Sequence, residues 1–221
     1  MVTFSKLMAT PSMKDTQYLE QLVRIYEEAF SPNGRLPVEV IKQRIIRGRQ
    51  SAIVGKEQNE VVFFALLWPL RCTEFVLLDY MATKSGHRGK GIGTAFFESL
   101  NEMAELAGKT LVIESEDPAH GNNREQRERR VRFYRRQGAK ELKGVRYMMP
   151  GLAGGEPAEM VLMICAVGSQ PCETRTGEIE GKAVRELVTQ IYREVYNRGP
   201  EDELLRSFIG DMGNGPLKLG S

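Results

Sequence analysis

The chain has 221 residues, 41% apolar and 27% charged, the make-up of a globular protein long enough to bury a full core. Its 31 Lys and Arg stand against 29 Asp and Glu, so the net charge of +2 excludes a general polyanion binder and makes any basic site local. Three cysteines (Cys72, Cys165 and Cys172) without a CxxC pair, and only two histidines (His87 and His120), argue against a structural zinc site and for reduced thiols, hence a cytoplasmic protein with no metal.

The N-terminal MVTFSKLMATPSMKD lacks the apolar core of a signal peptide, and no run approaches the ~20 apolar residues of a membrane span. Residues 2–8 read as a first strand. Leu19, Leu22, Val23, Tyr26 and Phe30 then fall at helical spacing, with Asp15 or Thr16 as the cap. PVEVIKQRIIRGR reads as a second helix with Pro37 in its first turn. SAIVGKEQNEVVFFALLWPL reads as two strands about a polar turn at Gln58 and Asn59. TEFVLLDYMAT is a third consecutive strand, apolar on both faces, and Asp79 inside it needs a buried partner.

SGHRGKGIGT is a basic glycine turn. The helix after it puts Phe96, Phe97, Leu100, Met103 and Ala104 on one face and stops at Gly108. TLVIESED is a strand ending in carboxylates, and NREQRERRVRFYRRQG a helix closing at Gly138. AKELKGVRYMM and EMVLMICAV read as strands joined by PGLAGGEP. From about Gly168 the pattern changes. SQPCETRTGE reads as a linker, and Val184, Leu187, Val188, Ile191 and Val195 form one amphipathic helix. Leu204, Leu205, Phe208 and Ile209 suggest a short helix, and the Gly-rich GDMGNGPLKLGS reads as a loose tail. The whole is an α+β pattern over residues 1–167, with a linker and C-terminal helical extension over residues 168–221.

A strand, a turn with Gly89, Gly91 and Gly93, and a helix start make an anion cradle. Glycines let the backbone approach a ligand, and the first N–H groups of a helix point at negative charge. The P-loop pattern fails because Gly93-Thr94 lacks the lysine, and the dinucleotide fingerprint fails on spacing. Arg88-Gly89-Lys90-Gly91-Ile92-Gly93 instead resembles the acyl-coenzyme A signature (Gln/Arg)-x-x-Gly-x-(Gly/Ala) of the GNAT superfamily of N-acyltransferases. The element order over residues 1–167 resembles that family too. The resemblance implies a mixed, largely antiparallel sheet of about seven strands flanked by helices. It implies that Arg88, Gly89, Lys90, Gly91, Ile92, Gly93 and Thr94 hold the pyrophosphate of an acyl-coenzyme A. It also implies that the backbone at Met81 and Thr83 binds the pantetheine arm, with the Met81 amide polarising the thioester carbonyl.

Phe133-Tyr134-Arg135-Arg136-Gln137-Gly138 resembles the family's Phe-Tyr-x-x-x-Gly helix end, which gives Tyr134 the role of general acid toward the leaving thiolate. Where many relatives carry a pantetheine-contacting asparagine two turns earlier, this chain has Arg127. Glu114 and Glu116 alternate onto one face of their strand beside Asp117 and are the candidate bases or amine binders, with Asp79 and His120 behind them. The arginine-rich run from Arg124 to Arg136 carries Glu125–Arg129 and Glu128–Arg132 at i,i+4, a salt-bridged face rather than a nucleic-acid surface. The expected partners are an acyl-coenzyme A (acetyl or longer) and a primary amine: a small amine, an amino acid, or a lysine or ornithine side chain. No nucleic acid or membrane is expected, and the C-terminal helix docks on the domain or in a homodimer. The alternative is a catalytically inactive acyl-coenzyme A sensor or scaffold.

Overall fold

The computed structural model describes residues 1–8, 12–167, 177–213 and 215–220; Cys172 and most of the stretch read as a linker lie outside them. Ten strands and six α-helices form two units of chain, the first made of residues 1–69, 78–107 and 151–155, the second of residues 70–77, 108–150 and 156–221. Among the described residues no helix is long and apolar enough to cross a membrane.

In the first unit the strands are ordered β1 (Thr3–Lys6), β2 (Ser51–Glu57), β3 (Glu60–Pro69) and β4 (Phe75–Thr83). The hairpin between β2 and β3 turns on Gln58 and Asn59, both at positive φ, as a tight two-residue turn that follows strand twist requires. Helix α1 (Met13–Ala29) starts earlier than its apolar spacing suggests. Ser12 is the cap and Asp15 is its reciprocal partner, each side chain taking the other's backbone N–H. The buried side of α1, with Leu22 and Tyr26, packs with Ile41 of α2 (Val38–Ile46) and with Phe64 and Leu66 of β3. Helix α3 (Ile92–Leu100) buries Phe96, Phe97 and Leu100 but ends there; Met103 and Ala104 leave it for a 3₁₀ turn that buries Leu106.

The second unit orders its strands β5 (Thr110–Glu116), β8 (Ala158–Ala166), β6 (Lys140–Leu142), β10 (Pro216–Gly220) and β9 (Glu178–Glu180), with β7 (Tyr147–Met149) also on β8. The pairs are antiparallel, Thr110 facing Ala166 and Glu116 facing Met160 in the β5–β8 register. The stretch expected as one strand over AKELKGVRYMM is broken into β6 and β7 by a turn with Gly144 at φ 73°. The tail expected to be loose is also corrected. It forms β10, which pairs Leu219 with Leu142 and Pro216 with Glu180. Its glycines serve a close approach rather than flexibility. Gly181 donates to the Gly215 carbonyl at 3.0 Å, and a Cβ on Gly181 would stand 2.7 Å from the carbonyl oxygens of Gly213 and Gly215. Helix α4 (Arg124–Arg136) follows β5, and α5 (Gly181–Glu194) and α6 (Glu203–Ile209) come from the extension. The aliphatic stripe of α5 and Val195 is buried, together with Tyr192 and Phe208.

Asp79 finds the partner a buried carboxylate needs. Gln50 donates its side-chain amide to it, and the Arg44 guanidinium lies 3.7 Å away, stacked 4.8 Å over the Trp68 ring. Burial pushes the Asp79 carboxyl up to about 6 from 3.8, against the opposing pull of Arg44 and Gln50. The folded state therefore holds this proton more tightly than the unfolded chain. Its stabilising effect is complete below about pH 4 and is lost as pH rises through about 6. Urea unfolding of the native protein and of Asp79→Asn across this range should show the native protein losing about 3 kcal/mol relative to the variant. Parallel stability curves would mean that Asp79 is ionised alike in both states.

Candidate active site

The glycine turn follows β4 directly. A 3₁₀ turn at Ser85–His87 leads to Gly89 and Gly91, each at φ 76°, and α3 begins at Ile92 with Gly91 as its cap. No side chain caps this helix, and its first intrahelical bond runs from the Ala95 N–H to the Gly91 carbonyl at 3.0 Å. The N–H groups of Ile92 and Gly93 come before that bond and so have no intrahelical acceptor. A Cβ placed on Gly89 or Gly91 would meet nothing within 4 Å, so these glycines give the turn its left-handed bend and open approach, not packing. Lys90 is exposed, while Met81, Thr83 and Thr94 are half-buried and Ile92 is buried.

Arg88 does not simply project into solvent. Its Nε donates to the Thr83 carbonyl at 3.1 Å and its Nη2 lies 3.4 Å from Glu28, whose carboxylate also accepts from the Ser85 N–H at 3.0 Å. A carboxylate of α1 thus ties the entry of the turn to the end of β4. Nothing in the spacing of α1 marks Glu28 for this; it reads as one of many solvated helix acids.

In the second unit, β5 presents Glu114 and Glu116 on one side, and each has its own partners. Glu116 accepts from Arg127 at 3.0 Å and Arg130 at 2.9 Å, both on α4. Arg127 also donates to the carbonyls of Asp117 and His120, so it stitches the β5–α4 loop. That gives the arginine at the family's asparagine position a structural task of its own. Glu114 accepts instead from two phenols, Tyr147 of β7 and, at 2.6 Å, Tyr196 just beyond α5. Neither tyrosine was singled out by the sequence, because each is far from Glu114 in the chain and falls on no motif.

Tyr134 is buried near the end of α4, and burial raises its phenol above the usual value, with Arg130 opposing. Such a phenol keeps its proton at neutral pH, as a general acid must before it acts. Along α4, Glu125 pairs with Arg129 at 3.6 Å as expected, but Glu128 turns back to Arg124 at 2.8 Å. A cleft of about 440 Å³ beside α4 is lined by Arg124, Arg132, Arg135 and Lys143 with Asp117, Glu128 and Glu141. His120 sits between two carboxylates, Asp117 at 3.2 Å and Glu159 at 2.7 Å, one on each ring nitrogen.

Residues 48–138, which hold the glycine turn, Glu114, Glu116 and Tyr134, match a family model described as Acetyltransferase (GNAT) domain. No curated protein matches the sequence. Among solved structures, a protein from Bacteroides thetaiotaomicron assigned to the GNAT family of acetyltransferases is similar over 88% of this chain and 98% of its own, at 22% identity and a TM-score of 0.68. Residues 1–167 make up 167/221, about 76% of the chain, so that likeness takes in part of the C-terminal extension. An aminoglycoside 6'-N-acetyltransferase complexed with coenzyme A is similar over 76% of this chain and 99% of its own, at 21% identity and a TM-score of 0.53. A phosphinothricin acetyltransferase from Sinorhizobium meliloti in complex with acetyl-coenzyme A is similar over 78% and 94%, at 20% identity and 0.51. The chain therefore carries an acetyltransferase domain of the GNAT family, over residues 48–138, set in a GNAT fold.

Proposed function

We propose that this protein transfers an acyl group from acyl-coenzyme A to a primary amine. The observation that carries the reading is the signature turn itself: Gly89 and Gly91 at positive φ, facing open space, with uncapped N–H groups at the start of α3 behind them. Those N–H groups and the helix dipole suit a pyrophosphate, and Lys90 adds positive charge. Two similar structures hold coenzyme A or acetyl-coenzyme A, which supports the same class of donor here.

The roles follow from the chemistry. The backbone of Met81 and Thr83 binds the pantetheine arm, and the Met81 N–H polarises the thioester carbonyl as charge develops on its oxygen. The neutral amine attacks the carbonyl carbon directly, a C–N bond forms, and the C–S bond breaks. Tyr134 gives its proton to the departing thiolate. The amine's surplus proton leaves to solvent or to a carboxylate. Of the two β5 carboxylates, Glu114 suits the acceptor better, since Glu116 is already held by two guanidinium groups. Residues 1–167 form the transferase domain in this reading, and the extension completes it. The acceptor is a small amine, an amino acid, or a lysine or ornithine side chain.

Gly91→Glu sets bulk and negative charge where the pyrophosphate would lie. Calorimetry should show the affinity for acetyl-coenzyme A falling more than about tenfold, or about 1.4 kcal/mol, in a variant that still folds. Unchanged affinity would remove the turn from donor binding.

Tyr134→Phe keeps the ring and deletes the proton. With acetyl-coenzyme A and an amine panel, kcat should drop at least about tenfold while donor affinity holds. Full turnover without the hydroxyl would assign the acid elsewhere. Donor binding with no thiol release on any amine would make the protein a sensor of acyl-coenzyme A instead.

A further inference from the structure

The proposed transfer needs a place for the acceptor, and the extension reaches one of the residues that could provide it. Glu114 is half-buried on β5. One of its carboxylate oxygens accepts from Tyr147, which is buried beneath it, and the other from Tyr196 at 2.6 Å. Tyr196 is itself half-buried, so the pair stays open to solvent on that side. Its position is fixed from within the same unit. Gln190 of α5 donates to the Arg71 carbonyl at 2.7 Å, Glu194 accepts from the Arg71 N–H at 3.3 Å, and the Tyr192 hydroxyl donates to the Met148 carbonyl. The rings of Tyr192 and Tyr196 meet edge-on with centroids 5.7 Å apart.

Two phenols donating to one carboxylate favour its ionised form. Burial and the Glu114 charge push the Tyr147 phenol well up, so the proton in that bond stays on Tyr147. Tyr192, which also feels the Glu114 charge, is likewise pushed up. The titratable groups around Glu114 from β7, from α5 and from the segment after it are thus neutral phenols that hold their protons. A carboxylate kept ionised in this way is a poor proton acceptor and a good anchor for a cation. The half-exposed aromatic ring beside it adds to the attraction for an ammonium group.

We propose that Glu114 recognises an ammonium group of the acceptor, and that Tyr196 of the C-terminal extension is the positioning residue that keeps Glu114 ionised and aimed. The proposal rests on the acyl-transfer reading for the identity of the ligand as an acceptor, and it sharpens the substrate class to amines that present a positive charge. Tyr196 does not touch the reacting atoms; it acts through Glu114.

The test uses the full chain with ¹³C-labelled glutamate carboxyls, the Glu114 signal being assigned by its loss in Glu114→Gln. Butylammonium is the probe and n-butanol its neutral counterpart. Butylammonium should shift the Glu114 signal saturably and n-butanol should not. In the native protein the signal should stay that of a carboxylate from about pH 8 down to about pH 5. Tyr196→Phe, which keeps the ring, should raise the apparent pKa of Glu114 and weaken butylammonium about tenfold, with an unchanged Tm as the control for folding. A signal unmoved by butylammonium, moved equally by n-butanol, or identical in pH profile between native protein and Tyr196→Phe would each overturn the proposal. The native titrations stand even if the variant does not fold. Calorimetry with acetyl-coenzyme A on the same sample separates the two readings. Donor binding without cation binding leaves the transferase and sinks this site. Cation binding without donor binding leaves the site and sinks the transferase.

Discussion

A carboxylate withdrawn from water must be met by donors, and three carboxylates on the central strands meet this constraint in three chemically different ways. Asp79 takes an amide and a distant guanidinium and is left with its carboxyl pushed up to about 6. Glu116 takes two guanidinium groups from α4 and becomes the joint between that helix and β5. Glu114 takes two phenols, one of them from beyond α5. The first solution stores a proton, the second fastens a helix, and the third leaves a negative charge partly open. Much of the local architecture around these strands is the supply of those donors. Arg44 is held over Trp68, Arg127 spans the loop after β5, and the extension folds back so that Tyr196 arrives at Glu114.

The glycine turn obeys the opposite rule. Its backbone donors at the start of α3 have no side-chain cap, and its glycines have no neighbour that a Cβ would touch. Elsewhere the chain spends side chains on satisfying a helix start: Ser12 and Asp15 close α1, and Asp202 accepts the Leu205 N–H at 3.0 Å to close α6. A helix start left bare between two well-capped ones is what an anion site requires, since a cap would occupy the donors meant for the ligand.

Most of this fold was legible from local pattern, because hydrophobic periodicity and turn chemistry are local properties. The Gln58–Asn59 hairpin, the both-faces-apolar β4 and the signature turn before Phe96 and Phe97 all lie where the residues put them. What escaped the reading is non-local. Gly-rich sequence at the C-terminus looks loose until α5 is set beside it, where the lack of a side chain at Gly181 is what lets β10 come close. Ser12 was hidden because the apolar stripe of α1 begins a turn and a half after the helix does. Met103 and Ala104 keep helical spacing but not helical structure, since the chain after Leu100 tightens into a 3₁₀ turn. For the site, the residues of the signature and Tyr134 carry a pattern that can be matched. Tyr147, Tyr196 and Glu28 carry none, as they act only through a partner distant in sequence.

That difference bears on specificity. The donor half of the proposed reaction relies on backbone groups in a turn whose form is set by glycine, and such a site asks little of the rest of the chain. Recognition of an acceptor relies on side chains, which the fold does not dictate. Here the side chain best placed for it, Glu114, owes its ionisation to a residue outside the matched stretch 48–138. The family pattern therefore accounts for how an acyl group would be held and released. The choice of amine follows from residues 178–220, whose strands, buried aliphatic stripe and Arg71 anchors bring one tyrosine to one carboxylate.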